Sequence, residues 1–192
     1  CWGIRSEKIE NYTPGNLTIR DIAQRYIEEI KAFQVHGPYY LVGWSIGGTI
    51  AFEIARWMEQ NREEVGFLAL IDTLPPDKTR AEQGKEFDRE TEMQIIRSYF
   101  RGEEIKTIFE DKGEIDLPGI WPRLLGYVEE NRNEFDIQII KNSVPGNLSQ
   151  IIPNFDRLGI KELIYYLNMI RTYDRARNIY IPEGKIQAGL HF

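Results

Sequence analysis

Apolar positions along this chain change period twice within its first third. Ile19, Ile22, Ala23, Tyr26, Ile27, Ile30 and Phe33 recur at intervals of three and four, which predicts an amphipathic helix. Thr18 and Asp21 stand at the spacing of a capping pair at its start. Gly37-Pro38 interrupts the pattern, and residues 39–42 are then apolar throughout, as in a buried parallel strand. The helical period returns from about residue 48 to residue 60. There Ile50, Ala51, Ile54, Ala55 and Met58 form an inner stripe, with Glu53, Arg56 and Glu59 predicted toward water. Val65–Ile71 is a second apolar run, predicted as another buried strand ending at Asp72. Residues 2–4 read as the end of a short strand, and the polar stretch 7–16 contains a Pro14-Gly15 turn. Strands alternating with helices predict an α/β fold with a mostly parallel sheet.

The character changes after Pro75-Pro76. Helical patterns follow over 87–100, 121–131, 135–142 and 160–175, with Pro118-Gly119, Pro145-Gly146 and Pro153 in the gaps. Leu163, Ile164, Leu167 and Ile170 line one face of the last helix, and Trp121, Leu124, Leu125 and Val128 form a stripe expected in a core. Residues 186–192 alternate weakly and are expected to return to the sheet as a strand. The organisation expected is one domain, with a core over 1–77, a helical region over 78–175 and a return to the core sheet over 176–192.

Composition narrows the class. The chain has 192 residues, the length of one domain, with 42% hydrophobic and 28% charged residues, as in soluble globular proteins. A net charge of −6 disfavours non-specific nucleic-acid binding. One cysteine, Cys1, excludes an internal disulfide and fits a reducing cytoplasm, the expected location. No apolar run reaches the roughly 20 residues of a membrane span, and no signal peptide is visible. The start at Cys1 rather than a methionine suggests an N-terminus that is cut or not represented. The acidic pairs Glu103-Glu104 and Glu129-Glu130 are expected on solvated helix faces.

Chemistry concentrates at Gly43-Trp44-Ser45-Ile46-Gly47, between an apolar strand pattern and a helical one. A serine between glycines at a strand-to-helix turn is a nucleophile-elbow arrangement. Gly43, Gly47 and Gly48 let the strand and helix backbones approach, and the Ser45 hydroxyl is raised at the end of the strand. The Ile46 N–H lies at a helix N-terminus, where developing negative charge is stabilised. A serine needs a general base and a group that orients it. Asp72 is the candidate orienter, because the end of the next parallel strand emerges at the same sheet edge. The histidines are only His36 and His191. His36 precedes the strand that leads to Ser45 and so falls at the opposite sheet edge, and His191 lies within the expected closing strand. The base is therefore expected outside this chain. One cysteine and two distant histidines make no metal cluster, and residues 43–48 lack the Lys-Ser/Thr ending of a phosphate loop.

Residues 37–48, Gly-Pro-Tyr-Tyr-Leu-Val-Gly-Trp-Ser-Ile-Gly-Gly, continue through Ala51-Phe52-Glu53-Ile54-Ala55 to Ile71-Asp72. Over these residues the chain resembles the type I thioesterase domain of non-ribosomal peptide synthetases, in the α/β-hydrolase superfamily. Tyr12-Thr13-Pro14 with the helix after it, and Tyr180-Ile181-Pro182, resemble the same family. The match is specific over about the first 77 residues and looser through the helical region, which corresponds to the family's variable lid. The resemblance implies an α/β-hydrolase fold with a helical lid insertion, in a fragment that lacks the first strands and the last strand with its histidine loop. The His-Pro-x-Gly-Gly-like loop that supplies a second oxyanion N–H in the family has no counterpart here.

The resemblance also implies a function. A peptidyl or acyl chain arrives as a thioester on the phosphopantetheine of an adjacent carrier domain, and Ser45 attacks it with a histidine oriented by Asp72. Release then follows by hydrolysis or macrocyclisation. The domain itself binds no cofactor or metal, and no nucleic-acid or membrane partner is implied. The fragment alone is expected to be inactive. The competing readings are a stand-alone serine esterase or lipase-like hydrolase, a polyketide-synthase thioesterase, and a catalytically silent hydrolase-fold docking module.

Overall fold

A computed structural model describes residues 2–4, 12–75, 86–99, 106–110, 115–131 and 136–191. Phe100, Glu103, Glu104, Phe135 and Phe192, which the sequence reading assigned to helices, charged faces or a strand, lie outside these residues. Helix α1 (Ile19–Phe33) begins at a complete capping box: the Thr18 side chain accepts from the Asp21 N–H, and the Asp21 carboxylate accepts from the Thr18 N–H. Such a box satisfies N–H groups that the first helical turn leaves unpaired. Its stripe of Ile19, Ile22, Ala23, Tyr26 and Ile27 is buried, but Phe33 at the helix end is exposed and stacks on Trp2.

Strand β1 (Tyr39–Trp44), helix α2 (Ile46–Gln60) and strand β2 (Val65–Ile71) follow as a βαβ unit, and β3 (Leu190–His191) completes a parallel sheet of order β1-β2-β3. The β1/β2 register pairs Trp44 with Ile71, and the β2/β3 register pairs Leu68 with Leu190 and Ala69 with His191. Residues 2–4 and 186–189 form no strand, so the expected N-terminal strand is not found there and the returning strand is shorter than its alternation suggested.

Two burial expectations are corrected. The apolar runs of β1 and β2 predicted burial on both faces. Instead Tyr39 and Gly43 are buried and Leu41 partly so, while Tyr40, Val42 and Trp44 are exposed. Helix α2 packs against one side, and side chains alternate across a strand. Glu53 and Arg56, predicted to face water, are 3% and 9% exposed. Each is buried because it pairs with the other: the Glu53 carboxylate accepts from Arg56 Nε at 2.8 Å and from its second guanidinium nitrogen. The inner stripe of α2 is buried as expected, with Ala55 and Met58 fully so.

The chain divides into two compact units, one of Cys1–Ser6, Asn16–Lys85 and Thr172–Phe192, the other of Glu7–Gly15 and Glu86–Arg171. The second unit contains α3 (Arg89–Tyr99), a π-helical turn (Lys106–Glu110), α4 (Leu117–Glu130), α5 (Gln138–Ser143), α6 (Gly146–Ile151) and a 3-10 turn (Phe155–Arg157), and α7 (Ile160–Asn178) begins in it. Its core gathers Met93, Ile96, Ile120, Trp121, Leu124, Leu125, Val128, Leu163 and Ile164. Pro118-Gly119, expected in a gap, sits in the first turn of α4 behind the Asp116 cap. Proline is tolerated there because the first-turn N–H groups lack intrahelical partners.

Glu92 on α3 is fully buried and accepts from Trp121 Nε1 at 2.6 Å and from both terminal nitrogens of Arg171 on α7. Arg171 also donates to Asn168 Oδ1 and lies over the Phe87 ring. Glu129 and Glu130 are exposed, as expected, and Glu129 pairs with Lys161. No helix among the described residues is long and apolar enough to cross a membrane.

Candidate functional site

Ser45 is the single residue between β1 and α2, and its backbone has φ 53° and ψ −123°. A non-glycine residue at positive φ costs of order 1–3 kcal/mol and persists only where its surroundings enforce it. Here the Ser45 N–H donates to the Ile71 carbonyl at 2.8 Å, and the Ser45 carbonyl accepts from the Gly48 N–H at 3.0 Å. Serine at a helix N-cap ordinarily caps with its hydroxyl. Ser45, with its positive φ, makes no side-chain capping bond. Ile46, the first residue of α2, offers an N–H without an intrahelical partner at the positive end of the helix dipole.

The elbow glycines are not equivalent. A Cβ on Gly43 would overlap the Gly47 carbonyl, and one on Gly48 would overlap the Thr73 side chain. A Cβ on Gly47 would meet nothing within 4 Å. The close approach of strand, helix and following turn thus excludes side chains at two of the three positions.

Asp72 directly follows β2 and has φ 50°. Since Trp44 pairs with Ile71, Ser45 and Asp72 both stand one residue beyond a paired position, at the C-terminal edge of adjacent parallel strands. Ligand sites of open α/β sheets collect at this edge. The structure therefore brings together Ser45, Ile46 and Asp72. It leaves His36 apart: the residue is exposed before β1, and the six residues of that strand span about 20 Å. The His191 backbone pairs with Ala69, three positions before Asp72. Among the described residues no group of three His, Cys, Asp or Glu could hold a metal ion.

Behind the elbow, α2 carries a buried charge that the sequence reading missed. Glu53 Oε2 accepts from the Tyr180 hydroxyl at 2.6 Å, and Arg20 lies 3.8 Å from Glu53 Oε1. Burial raises the Glu53 carboxyl, but hydrogen bonds from Arg56 and Tyr180 and the nearby guanidinium charges outweigh it and hold its pKa below the ordinary value. Burial, then the Glu53 bond, pushes the Tyr180 phenol up. Glu59, farther along α2, accepts from the Gln187 and Ala188 N–H groups at 2.7 Å each. The helix that Ser45 precedes thus anchors the segment leading into β3.

Comparison with known proteins identifies the lineage. The model of the thioesterase domain family matches residues 5–112. The chain belongs to the thioesterase-domain family. Its N-(5-amino-5-carboxypentanoyl)-L-cysteinyl-D-valine synthase relative from Penicillium rubens is 41% identical over 56 residues, which are 29% of this chain and 2% of that protein. Enterobactin synthase component F of Escherichia coli is 37% identical over 75 residues, 39% of this chain and 6% of the relative. A solved four-domain nonribosomal peptide synthetase is 22% identical, with a TM-score of 0.48 over 89% of this chain and 12% of that one. The chain thus spans a small fraction of the length of these relatives. The resemblance to peptide-synthetase thioesterase domains holds, and membership of the thioesterase-domain family carries an α/β-hydrolase-type fold.

Proposed function

We propose that this chain is part of a serine thioesterase that releases a peptidyl or acyl chain from the phosphopantetheine thioester of an adjacent carrier domain. Ser45 Oγ attacks the thioester carbonyl while its proton passes to a histidine outside residues 1–192. Asp72 holds that histidine in the required tautomer. The Ile46 N–H donates to the oxyanion of the tetrahedral intermediate. The carbon–sulfur bond breaks, the carrier thiol takes the proton from the histidine, and an acyl-serine remains. Water then releases an acid, or an amine or hydroxyl of the same acyl chain releases a macrocycle. In this reading the helical region over 78–175 takes the part of the family's variable lid.

The observation that carries this reading is the pairing of two strained residues, Ser45 and Asp72, at the ends of adjacent strands. A serine-directed fluorophosphonate tests it in the full-length protein. Labelling is expected on the peptide containing Ser45 and is lost in Ser45→Ala, while Asp72→Asn lowers thioester turnover by about 10⁴. An unlabelled wild-type protein that is folded would overturn the serine mechanism and favour a docking module.

A further inference from the structure

Thr73 lies immediately beyond Asp72 and is not part of the elbow motif. Its Oγ1 is 3.2 Å from the Ser45 carbonyl oxygen and 3.3 Å from the Ile71 carbonyl oxygen, so its single hydroxyl proton is shared between them. Its side chain occupies the space that the missing Cβ of Gly48 leaves open. The same Ile71 carbonyl receives the Ser45 N–H. Ser45 and Asp72, both at positive φ, are therefore joined twice, by the backbone bond through Ile71 and by the Thr73 side chain.

The geometry points to Thr73 as a positioning residue that fixes the aim of Ser45 relative to the Asp72 turn. The inference rests on the reading of Ser45 as nucleophile. A strained backbone keeps its conformation only while neighbours over-determine it. The Ser45 carbonyl is the lever: rotating it about the adjacent bonds swings the side chain that the strain presents. Gly48 N–H holds this carbonyl along the helix axis, and Thr73 Oγ1 holds it from the neighbouring turn. Without the hydroxyl, the peptide can relax toward commoner dihedrals, and Ser45 Oγ moves with it. Displacements of about 1 Å in a reacting group can cost on the order of a hundredfold in rate.

The test uses the full-length protein with Thr73→Val, which keeps shape and removes the hydroxyl, and Thr73→Ser, which keeps the hydroxyl. Two readouts run in parallel: the rate of fluorophosphonate labelling at Ser45, and hydrogen–deuterium exchange of the peptide spanning residues 43–48. Thr73→Val is expected to label about tenfold more slowly and to exchange faster in that peptide, with only the small fall in melting temperature that one lost hydrogen bond brings. Thr73→Ser is expected to stay near wild type in both. A Thr73→Val protein that labels and exchanges like wild type overturns the inference. So does an equal loss in both variants accompanied by a lower melting temperature, which would mean packing alone. If the wild type is not labelled at Ser45, the nucleophile reading fails by itself, and the exchange data still decide whether Thr73 braces the elbow.

Discussion

Tyr180 donates its hydroxyl hydrogen to Glu53 Oε2 across 2.6 Å, joining residues 127 positions apart. Replacing Tyr180 with Phe leaves Arg56 as a partner but removes one hydrogen bond from a buried carboxylate. Hydrogen bonds to charged groups contribute about 1.5–3 kcal/mol, so Tyr180→Phe is expected to lower unfolding stability by about 2 kcal/mol. Urea denaturation followed by circular dichroism measures it. A midpoint equal to that of wild type would mean that Glu53 is satisfied by Arg56 alone.

Acid should destabilise the fold through the same carboxylate. Glu53 has a folded pKa below its ordinary 4.5, and so does Asp21 below its ordinary 3.8, the latter chiefly through the Thr18 hydroxyl bond. A depressed folded pKa contributes stability that is full above the unfolded value and is lost as pH falls through the folded one. Unfolding free energy is thus expected to decline as pH drops from about 5 toward 2. The part of the decline due to Glu53 should be absent from Glu53→Gln. A Glu53→Gln profile as steep as wild type would place the linkage elsewhere.

Among the elbow glycines, substitution should sort by space rather than by motif position. Gly47→Ala enters open space on a helical backbone, where Ala exceeds Gly by roughly 0.5–1 kcal/mol, and is expected to leave the melting temperature equal or higher. Gly48→Ala must displace Thr73 and is expected to lower it. Thermal melts of the two variants side by side decide the point, and the reverse order would contradict the geometry.

Glu92 holds together three helices of the second unit. Removing one partner of a buried pair costs about 3–5 kcal/mol, because the other charge is left unpaired. The Arg171 side chain is 25% exposed and can reach water, which places Glu92→Leu near the lower end of that range. Glu92→Gln still offers an acceptor to Trp121 Nε1 and is expected to cost less. Tryptophan fluorescence during denaturation reports both, and equal costs would show that Trp121 contributes nothing to the network.

Local periodicity made α1, the inner stripe of α2 and the Trp121–Leu124–Leu125–Val128 stripe legible, because each is a repeat within one element. The strand-to-helix corner at Ser45 and the strand ending at Asp72 could be read in the same way, since a GxSxG between two patterns is itself local. Burial that depends on distant partners could not. Glu53 and Arg56 fall off the apolar stripe of α2, a pattern that predicts water for both, yet their mutual pairing and the Tyr180 hydroxyl on Glu53 let both be buried. Tyr40 and Val42 differ in the opposite direction, because an apolar run does not tell which strand face a helix will cover. Thr73 carries no motif, and only the proximity of its side chain to Gly48 and the Ser45 carbonyl singles it out.

The placement of β3 beside β2 has a consequence for the order in which the protein is made. β2 ends at Ile71 and its neighbour starts at Leu190, so well over a hundred residues leave the ribosome between them. At typical elongation rates that interval lasts on the order of 10 s. During it β3 is not there to pair with β2, and an open strand edge is a template for pairing with another nascent chain. The two backbone N–H groups that Glu59 receives just before β3 then act as a late latch, seating the arriving strand on a helix that was already complete.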